Sequence, residues 1–205
     1  MRQVESAVSG VDVSAQEPTE ADWTALWQQG KRFAYVLATE GVDRVNPGFG
    51  GQYAESFDAG LIRGAYHFAL PDRSSGADQA EFFVDKGGAW TNDGMTLPGA
   101  LNLEFNPYGK ACYGLSRAAL SDWVLDFGDT YHEWTGRYPV VYTSTTWWSQ
   151  CAGAEAGPVN PLRVDKHSAT PGALPRGRGV YPLWLRPSPS VERHPRDRLL
   201  ALVGE

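Results

Sequence analysis

The sequence predicts an α/β protein in which helices cover a parallel sheet. Short apolar runs alternate with segments whose apolar residues recur every three or four positions, and this alternation is repeated five times. The runs are typical of buried strands, and the periodic segments are typical of helices with one face on a core. Strands joined in this way by helices lie parallel. Ligands of such folds bind at the carboxyl ends of the strands, so functional residues are expected there.

Polar or aromatic side chains stand at or near the end of every predicted strand. The strands are predicted at 9–14, 33–41, 61–70, 97–107 and 138–144. Because the ends of parallel strands meet at one edge of a sheet, these side chains are candidates for one shared cleft. They are Asp12, Glu40, Tyr66, Asn102, Glu104 and Tyr142.

The fourth strand, LPGALNLEFNP, carries the strongest candidate pair. Asn102 and Glu104 are two residues apart, so their side chains point the same way, about 7 Å apart along the strand. An amide and an acid therefore share one wall of the expected cleft. Glu104 could instead simply begin a solvated loop. Asp12 lies between two valines of the first strand, where a carboxylate is costly unless it is paired or functional.

Three helices have recognisable start signals. Thr19-x-x-Asp22 is predicted to open the first helix, and Ser75-x-x-Asp78 is predicted to cap another. The longest helix is predicted from a Ser116 start to a Gly136 stop, with its apolar residues three and four apart between them.

Composition limits the classes of function. The 205 residues fit one domain, and the formal net charge of −6 argues against a nucleic-acid partner. No apolar run reaches the roughly 18 residues of a membrane span, and the first residues lack the apolar core of a signal peptide. The 8 Trp, 9 Tyr and 8 Phe suit stacking on sugar rings as well as core packing.

The cysteines and histidines give no sign of a metal. The 4 histidines show no metal-ligand spacing, and we expect neither a metal nor another cofactor. Cys112 and Cys151 are too few for a cysteine-based zinc site or a disulfide scaffold. From the residues alone they could pair with each other or remain two free buried thiols.

Several segments, in order, resemble the glycoside hydrolase family 25 lysozymes, which are bacterial and phage muramidases. The matching segments run from residue 10 to about residue 153: GVDVS, FAYVLATEG, AGLIRGAYHFA, LPGALNLE, CYGLS and YPVVYTSTTWW. The resemblance implies an incomplete TIM-like (β/α)5(β)3 barrel that cleaves the β-1,4 bond between N-acetylmuramic acid and N-acetylglucosamine in peptidoglycan. It also implies a Cys112–Cys151 disulfide and an extracellular or cell-wall setting. We expect a monomer that acts on peptidoglycan glycan chains.

The resemblance assigns roles to individual residues. Glu104 falls on the general acid and Asp12 on its partner carboxylate. Such chemistry needs one acid to protonate the leaving oxygen and a second group to stabilise positive charge on the sugar. Whether water or the sugar's own N-acetyl group attacks, and so whether the enzyme retains or inverts, stays open. Further substrate contacts are expected from Tyr66, Tyr142, Trp184 and Glu40.

Asn102 departs from the family pattern. The family has Asp-x-Glu at this strand end, whereas this chain reads Asn102-Leu103-Glu104. An Asn can still orient an N-acetyl group, but it carries no charge. Losing one preorganised electrostatic interaction costs about 3 to 4 kcal/mol of transition-state stabilisation. A lysine that is common in the family's second strand is also replaced, by Leu37. A catalytically impaired relative that binds peptidoglycan is therefore the alternative function, and another glycosidase on the same kind of barrel is a third.

The C-terminal part, residues 158–205, diverges from the family. Eight of the 14 prolines lie within 158–195, and residues 163–198 hold eight Lys and Arg against three acids, a balance of 8 − 3 = +5. Proline removes donors from a strand ladder, so the closing strands of the barrel are uncertain. The segment is expected to be either a loosely ordered tail of the single domain 1–205 or a basic lip that attracts anionic cell-wall polymers.

Overall fold

The computed structural model describes residues 8–15 and 22–152, together with the backbone of three later strands. Apart from a two-residue strand after the second one, five strands, each followed by a helix, precede three final strands, which is the (β/α)5(β)3 order. The elements are β1 (Val8–Val13), α1 (Trp23–Gln28), β2 (Lys31–Glu40), β3 (Arg44–Val45), α2 (Phe49–Asp58), β4 (Ile62–Phe68), α3 (Gly76–Phe83), β5 (Ala100–Leu103), α4 (Arg117–Thr135), β6 (Val140–Ser144), α5 (Thr145–Trp147), β7 (Leu162–Asp165), β8 (Leu183–Trp184) and β9 (Leu199–Leu202). The α/β fold class is confirmed.

One curled sheet holds the nine strands that the structure describes. Its order is β7-β6-β5-β4-β2-β1-β9-β8, and the short β3 pairs with β2. The strands from β7 to β1 in this order are parallel, whereas β9 is antiparallel to β1 and β8 is antiparallel to β9. The predicted parallel sheet is therefore correct, and the C-terminal part contributes three strands to it. The rest of residues 158–205 lies outside the described residues, so the predictions of a loose tail or a basic lip stay untested.

The helix caps follow the predicted signals where the structure describes them. Ser75 and Ser116 each accept a hydrogen bond from the backbone N–H three residues later, at 3.0 and 3.2 Å. Gly136 ends α4 in the left-handed conformation, with φ at 73°. Asp22 is itself the N-cap of α1, which begins at Trp23. Thr19 lies outside the described residues.

The main core lies between the sheet and the helices α3 and α4. The rings of Phe83, Phe127 and Tyr131 are fully buried there and contact one another. The Tyr131 hydroxyl donates to the Gly88 carbonyl at 2.9 Å and accepts from the Gly99 N–H at 2.8 Å. This places the long helix in direct contact with the start of β5, the strand that carries Asn102.

A buried polar network joins β2, β4 and α3. The Gln79 side-chain oxygen accepts from the Leu70 N–H at 3.1 Å and lies 2.9 Å from His67 Nε2. Because that oxygen is an acceptor, Nε2 carries the ring proton, and Nδ1 accepts from the Thr39 hydroxyl at 2.8 Å. Complete burial lowers the pKa of His67 to about 4, although the hydrogen bond to Gln79 opposes this shift. The imidazole is therefore neutral in the folded protein over most of the acidic range.

No helix within the described part of the chain is long and apolar enough to cross a membrane.

Candidate active site

A cavity of about 310 Å³ lies at the carboxyl ends of the parallel strands. It contains five of the seven side chains predicted to act on or contact substrate. These five come from β1, β2, β4, β5 and the first residue after β5, so the sheet brings together residues up to 92 positions apart in the sequence, from Asp12 to Glu104. The cavity is lined by Asp12, Ser14, Leu37, Glu40, Tyr66, Phe68, Asn102, Glu104, Phe105, Pro107 and Tyr108.

Glu104 and Asn102 form one wall of this cavity. The strand β5 ends at Leu103, so it is shorter than predicted and Glu104 is the first residue of the following loop. The Asn102 side-chain amide donates to Glu104 Oε1 at 3.4 Å. The Tyr113 hydroxyl donates to the carbonyl oxygens of both Glu104 and Ala69, each at 3.0 Å. The backbone that carries the acid is therefore tied to the loop after β4.

Asp12 and Tyr66 line the same cavity from two strands that are not adjacent in the sheet. Asp12 is half-buried on β1, and Tyr66 is 8% exposed on β4. The strand β2 separates them, and its Leu37 lies opposite Tyr66 in the ladder. Asp12 therefore reaches the cavity from one side of β2, and Asn102 and Glu104 reach it from the other side. A ligand in the cavity has carboxylates on both flanks.

Glu40 belongs to a charged corner at the rim of the cavity. The Tyr108 hydroxyl donates to Glu40 Oε1 at 2.5 Å, and Arg44 Nη1 donates to the same hydroxyl at 3.0 Å. The guanidinium of Arg44 is also 3.6 Å from Glu40 Oε1. The hydrogen bond to Glu40 raises the pKa of Tyr108, with burial adding to the shift. The phenol is therefore a neutral donor between an anion and a cation.

The sequence reasoning missed the loop that supplies Phe105 and Tyr108. The segment LEFNPYG has two aromatic residues shortly after Glu104. This pattern could have predicted the loop as part of the site, because aromatic rings beside an acid are typical of sugar sites. The Cys112–Cys151 disulfide, with a Cα–Cα distance of 5.3 Å, ties this loop to the helical segment that follows α5. The disulfide implied by the family resemblance is confirmed.

Two predicted substrate contacts are not confirmed by the cavity. Tyr142 lies opposite Asn102 in the ladder of β5 and β6, but its side chain is fully buried. For Trp184 the structure describes only the backbone, in β8. Contact between either side chain and a substrate stays a prediction.

The side chains of this cleft include groups that can transfer protons and aromatic rings that can bind sugars. Asp12, Glu40 and Glu104 supply carboxylates, and Tyr66 and Tyr108 are among the rings that supply apolar faces. No group of three or more His, Cys, Asp or Glu with the geometry of a metal site occurs in the described ranges. Carboxylates and aromatic rings at the carboxyl ends of barrel strands are the arrangement of a glycoside hydrolase.

Comparison with known proteins identifies the family. The model of the glycosyl hydrolases family 25 matches residues 11–174, and the chain belongs to this family. It is 41% identical to an N,O-diacetylmuramidase of Chalaropsis sp over 183 residues, which cover 86% of each chain. It is 39% identical to Lysozyme M1 of Streptomyces globisporus over 181 residues, which cover 87% of this chain and 61% of that protein.

Solved structures agree with this assignment. A muramidase from Acremonium alcalophilum superposes with a TM-score of 0.86 at 39% identity, covering 97% of this chain and 94% of the other. A family 25 lysozyme from Aspergillus fumigatus gives a TM-score of 0.87 at 35% identity, covering 97% and 95% of the two chains.

Proposed function

We propose that this chain cleaves the β-1,4 bond between N-acetylmuramic acid and N-acetylglucosamine in peptidoglycan, with Glu104 as the proton donor. The chain is a lysozyme-type glycoside hydrolase, since its family and its relatives of about 40% identity are enzymes of that type. The observation that carries the assignment of roles is the shared cavity, in which Glu104 and Asn102 stand on one flank and Asp12 on the other.

The first chemical step is protonation of the glycosidic oxygen. Glu104 gives its proton to that oxygen while the bond to the anomeric carbon breaks, so the leaving sugar departs as an alcohol. Positive charge develops on the sugar that remains, and the carboxylate of Asp12 stabilises it. The rings of Tyr66 and Tyr108 hold the sugars in the cleft, and Glu40 orients the Tyr108 hydroxyl.

The second step adds water at the anomeric carbon. If the sugar's own N-acetyl oxygen attacks first, water then opens the cyclic intermediate and gives its proton to Glu104. If water attacks directly from the face opposite the leaving group, Asp12 accepts its proton and Glu104 regains one from solvent. The Asn102 side chain is suited to hold an N-acetyl group by hydrogen bonding. It cannot balance the charge of the intermediate, so turnover is slower than with an aspartate at this position.

A peptidoglycan-binding protein with little turnover is the second candidate function. Its support is Asn102, because a neutral amide stands beside the proposed acid. Both functions use the same cleft and the same polymer, so they differ in rate and not in ligand.

Clearance of purified peptidoglycan separates the two. We expect slow clearance by the wild type, a loss of more than about 10³-fold for Glu104→Gln, and no change for the control Glu133→Gln, an exposed residue of α4. Thermal unfolding of each variant checks that the fold is retained. Pelleting with the polymer, without clearance by the wild type, would establish the binding protein instead.

We propose an extracellular or cell-wall setting for this activity and a monomer as the working unit. The Cys112–Cys151 disulfide supports the setting, because such bonds persist in oxidising compartments.

A further inference from the structure

A second cavity opens beside the active-site cleft, toward the hairpin of β2 and β3. This side chamber has a volume of about 480 Å³. Ser14, Leu37, Glu40 and Tyr108 line both spaces, so a group attached to a bound sugar can pass from one into the other. The remaining lining residues of the side chamber are Ala15, Asp43, Arg44, Val45 and Asn46.

The side chamber differs from the cleft in its exposed charges. The side chains of Arg44 and Asp43 are 54% and 62% exposed, whereas that of Glu40 is 18% exposed beneath Tyr108. The sugar rings of the glycan backbone carry no charge that would pair with these groups. The chamber is therefore suited to a charged substituent of the glycan.

Arg44 is held in place before any ligand binds. Its guanidinium carbon lies 5.3 Å from the centre of the Tyr108 ring, and its one hydrogen bond to a described residue uses Nη1. The Arg44 side chain is 54% exposed, and a guanidinium has further N–H donors that can pair with a carboxylate. Because Tyr108 and Glu40 fix the guanidinium, binding costs little of its side-chain entropy.

Asp43 supplies the opposite charge at the rim. Its carboxylate lies 3.8 Å from Arg73, whose guanidinium carbon is 5.2 Å from the centre of the Tyr108 ring. At that distance and exposure the pair is weakly coupled, so Asp43 remains available to an ammonium group. The rim thus offers a cation and an anion to one ligand.

We propose that the side chamber binds the peptide stem attached to the muramyl sugar, with Arg44 pairing a stem carboxylate and Asp43 facing a stem ammonium group. This inference rests on the proposed function. A stem is joined to the glycan through an amide, so all the free carboxylates of a stem-bearing fragment belong to the peptide. The chamber therefore makes this cleft selective for peptide-bearing glycan.

The test compares two soluble muropeptides that differ only in the charge of the stem. One keeps its carboxylates, and in the other they are converted to primary amides. We expect the wild type to show a kcat/KM about three- to fivefold higher on the charged fragment, since ion pairs of partly exposed groups are worth about that much. Arg44→Gln brings the ratio of the two kcat/KM values close to one, and Arg44→Lys gives an intermediate ratio.

The matched control is Arg32→Gln. Arg32 lies near the start of β2, where its guanidinium covers Trp27 at 4.0 Å, far along the strand from Glu40. This variant should keep the wild-type ratio. A wild-type ratio near one, or a wild-type ratio retained by Arg44→Gln, overturns the proposal.

If the proposed function itself is wrong, the cleavage results differ from those that overturn the side chamber. If the wild type cleaves neither fragment, calorimetric binding of the same two muropeptides decides the question. Tighter binding of the charged fragment by the wild type, lost in Arg44→Gln, supports the side chamber as the stem site. Equal binding of both fragments overturns it.

Discussion

The Asn102 amide donates a hydrogen bond to Glu104 Oε1 over 3.4 Å, so an uncharged side chain of β5 stands beside the proposed acid. An amide at this position can hold a polar group of the substrate, but it adds no negative charge to the cleft. Asparagine at 102 therefore removes charge that would stabilise the sugar cation.

The first prediction concerns Asn102→Asp. Restoring the charge should raise the rate of peptidoglycan clearance by about 10- to 100-fold, because one preorganised interaction is regained. Turbidity assays at one fixed pH measure this rate.

Asn92→Asp is the control for that change. Asn92 is exposed in the loop before β5, so its replacement by aspartate adds the same charge away from the cleft. It should leave the clearance rate unaltered. An Asn102→Asp protein no faster than this control would show that the amide does not limit turnover.

The second prediction is a loss of stability in acid that comes from His67. Its pKa is about 4 when folded and 6.5 when unfolded, so between these values the unfolded chain binds the extra proton. Stability is therefore complete above pH 6.5, falls as the pH drops toward 4, and decreases by about 3 kcal/mol in total. Urea unfolding across this range measures the free energy of unfolding.

The matching variants are His67→Gln and His132→Gln. The first should be less stable at neutral pH but should lose this part of the pH dependence. His132 is stacked on Tyr138, with ring centres 4.2 Å apart, and is only partly buried. Its replacement should preserve the dependence. An unchanged slope in His67→Gln would assign the acid sensitivity to other groups.

The third prediction concerns the disulfide between Cys112 and Cys151, which are 39 positions apart. Replacing both by alanine should lower the free energy of unfolding by about 2 to 4 kcal/mol, because the unfolded chain gains freedom when the loop is no longer closed. A reducing agent should destabilise the wild type to a similar degree and leave the double variant unaffected. Sensitivity of the double variant to the reductant would contradict this account.

The fourth prediction compares two helical glycines. A Cβ on Gly76 would lie 2.4 Å from the Trp123 carbonyl oxygen and 2.5 Å from the Phe127 nitrogen, so α3 would have to move away from α4. Gly76→Ala should cost about 2 kcal/mol or more. A Cβ on Gly50 meets no atom within 4 Å, so Gly50→Ala should stabilise α2 by about 0.5 to 1 kcal/mol. Thermal unfolding of the two variants should therefore show shifts of opposite sign.

The order of the elements could be predicted because it is encoded locally. Apolar runs and helical periodicity identified β1, β2, β4, β5, β6 and α4 to within a few residues, and the caps at Ser75 and Ser116 follow from side chains adjacent to the helix start. The end of β5 was less predictable. The apolar character of LPGALNLEFNP continues beyond Leu103, whereas the ladder stops where the sheet gives way to the loop.

The sequence by itself determined the parallel α/β fold and the positions of Asp12, Asn102 and Glu104 at strand ends, because strand ends and polar residues can be read along one chain. Only the tertiary structure decided that Tyr108 reaches back to Glu40, 68 residues away, and that Tyr142 is buried beside the cleft instead of lining it. These facts depend on the path of a loop and on the curl of a sheet. Neither is fixed by the pattern of any single segment.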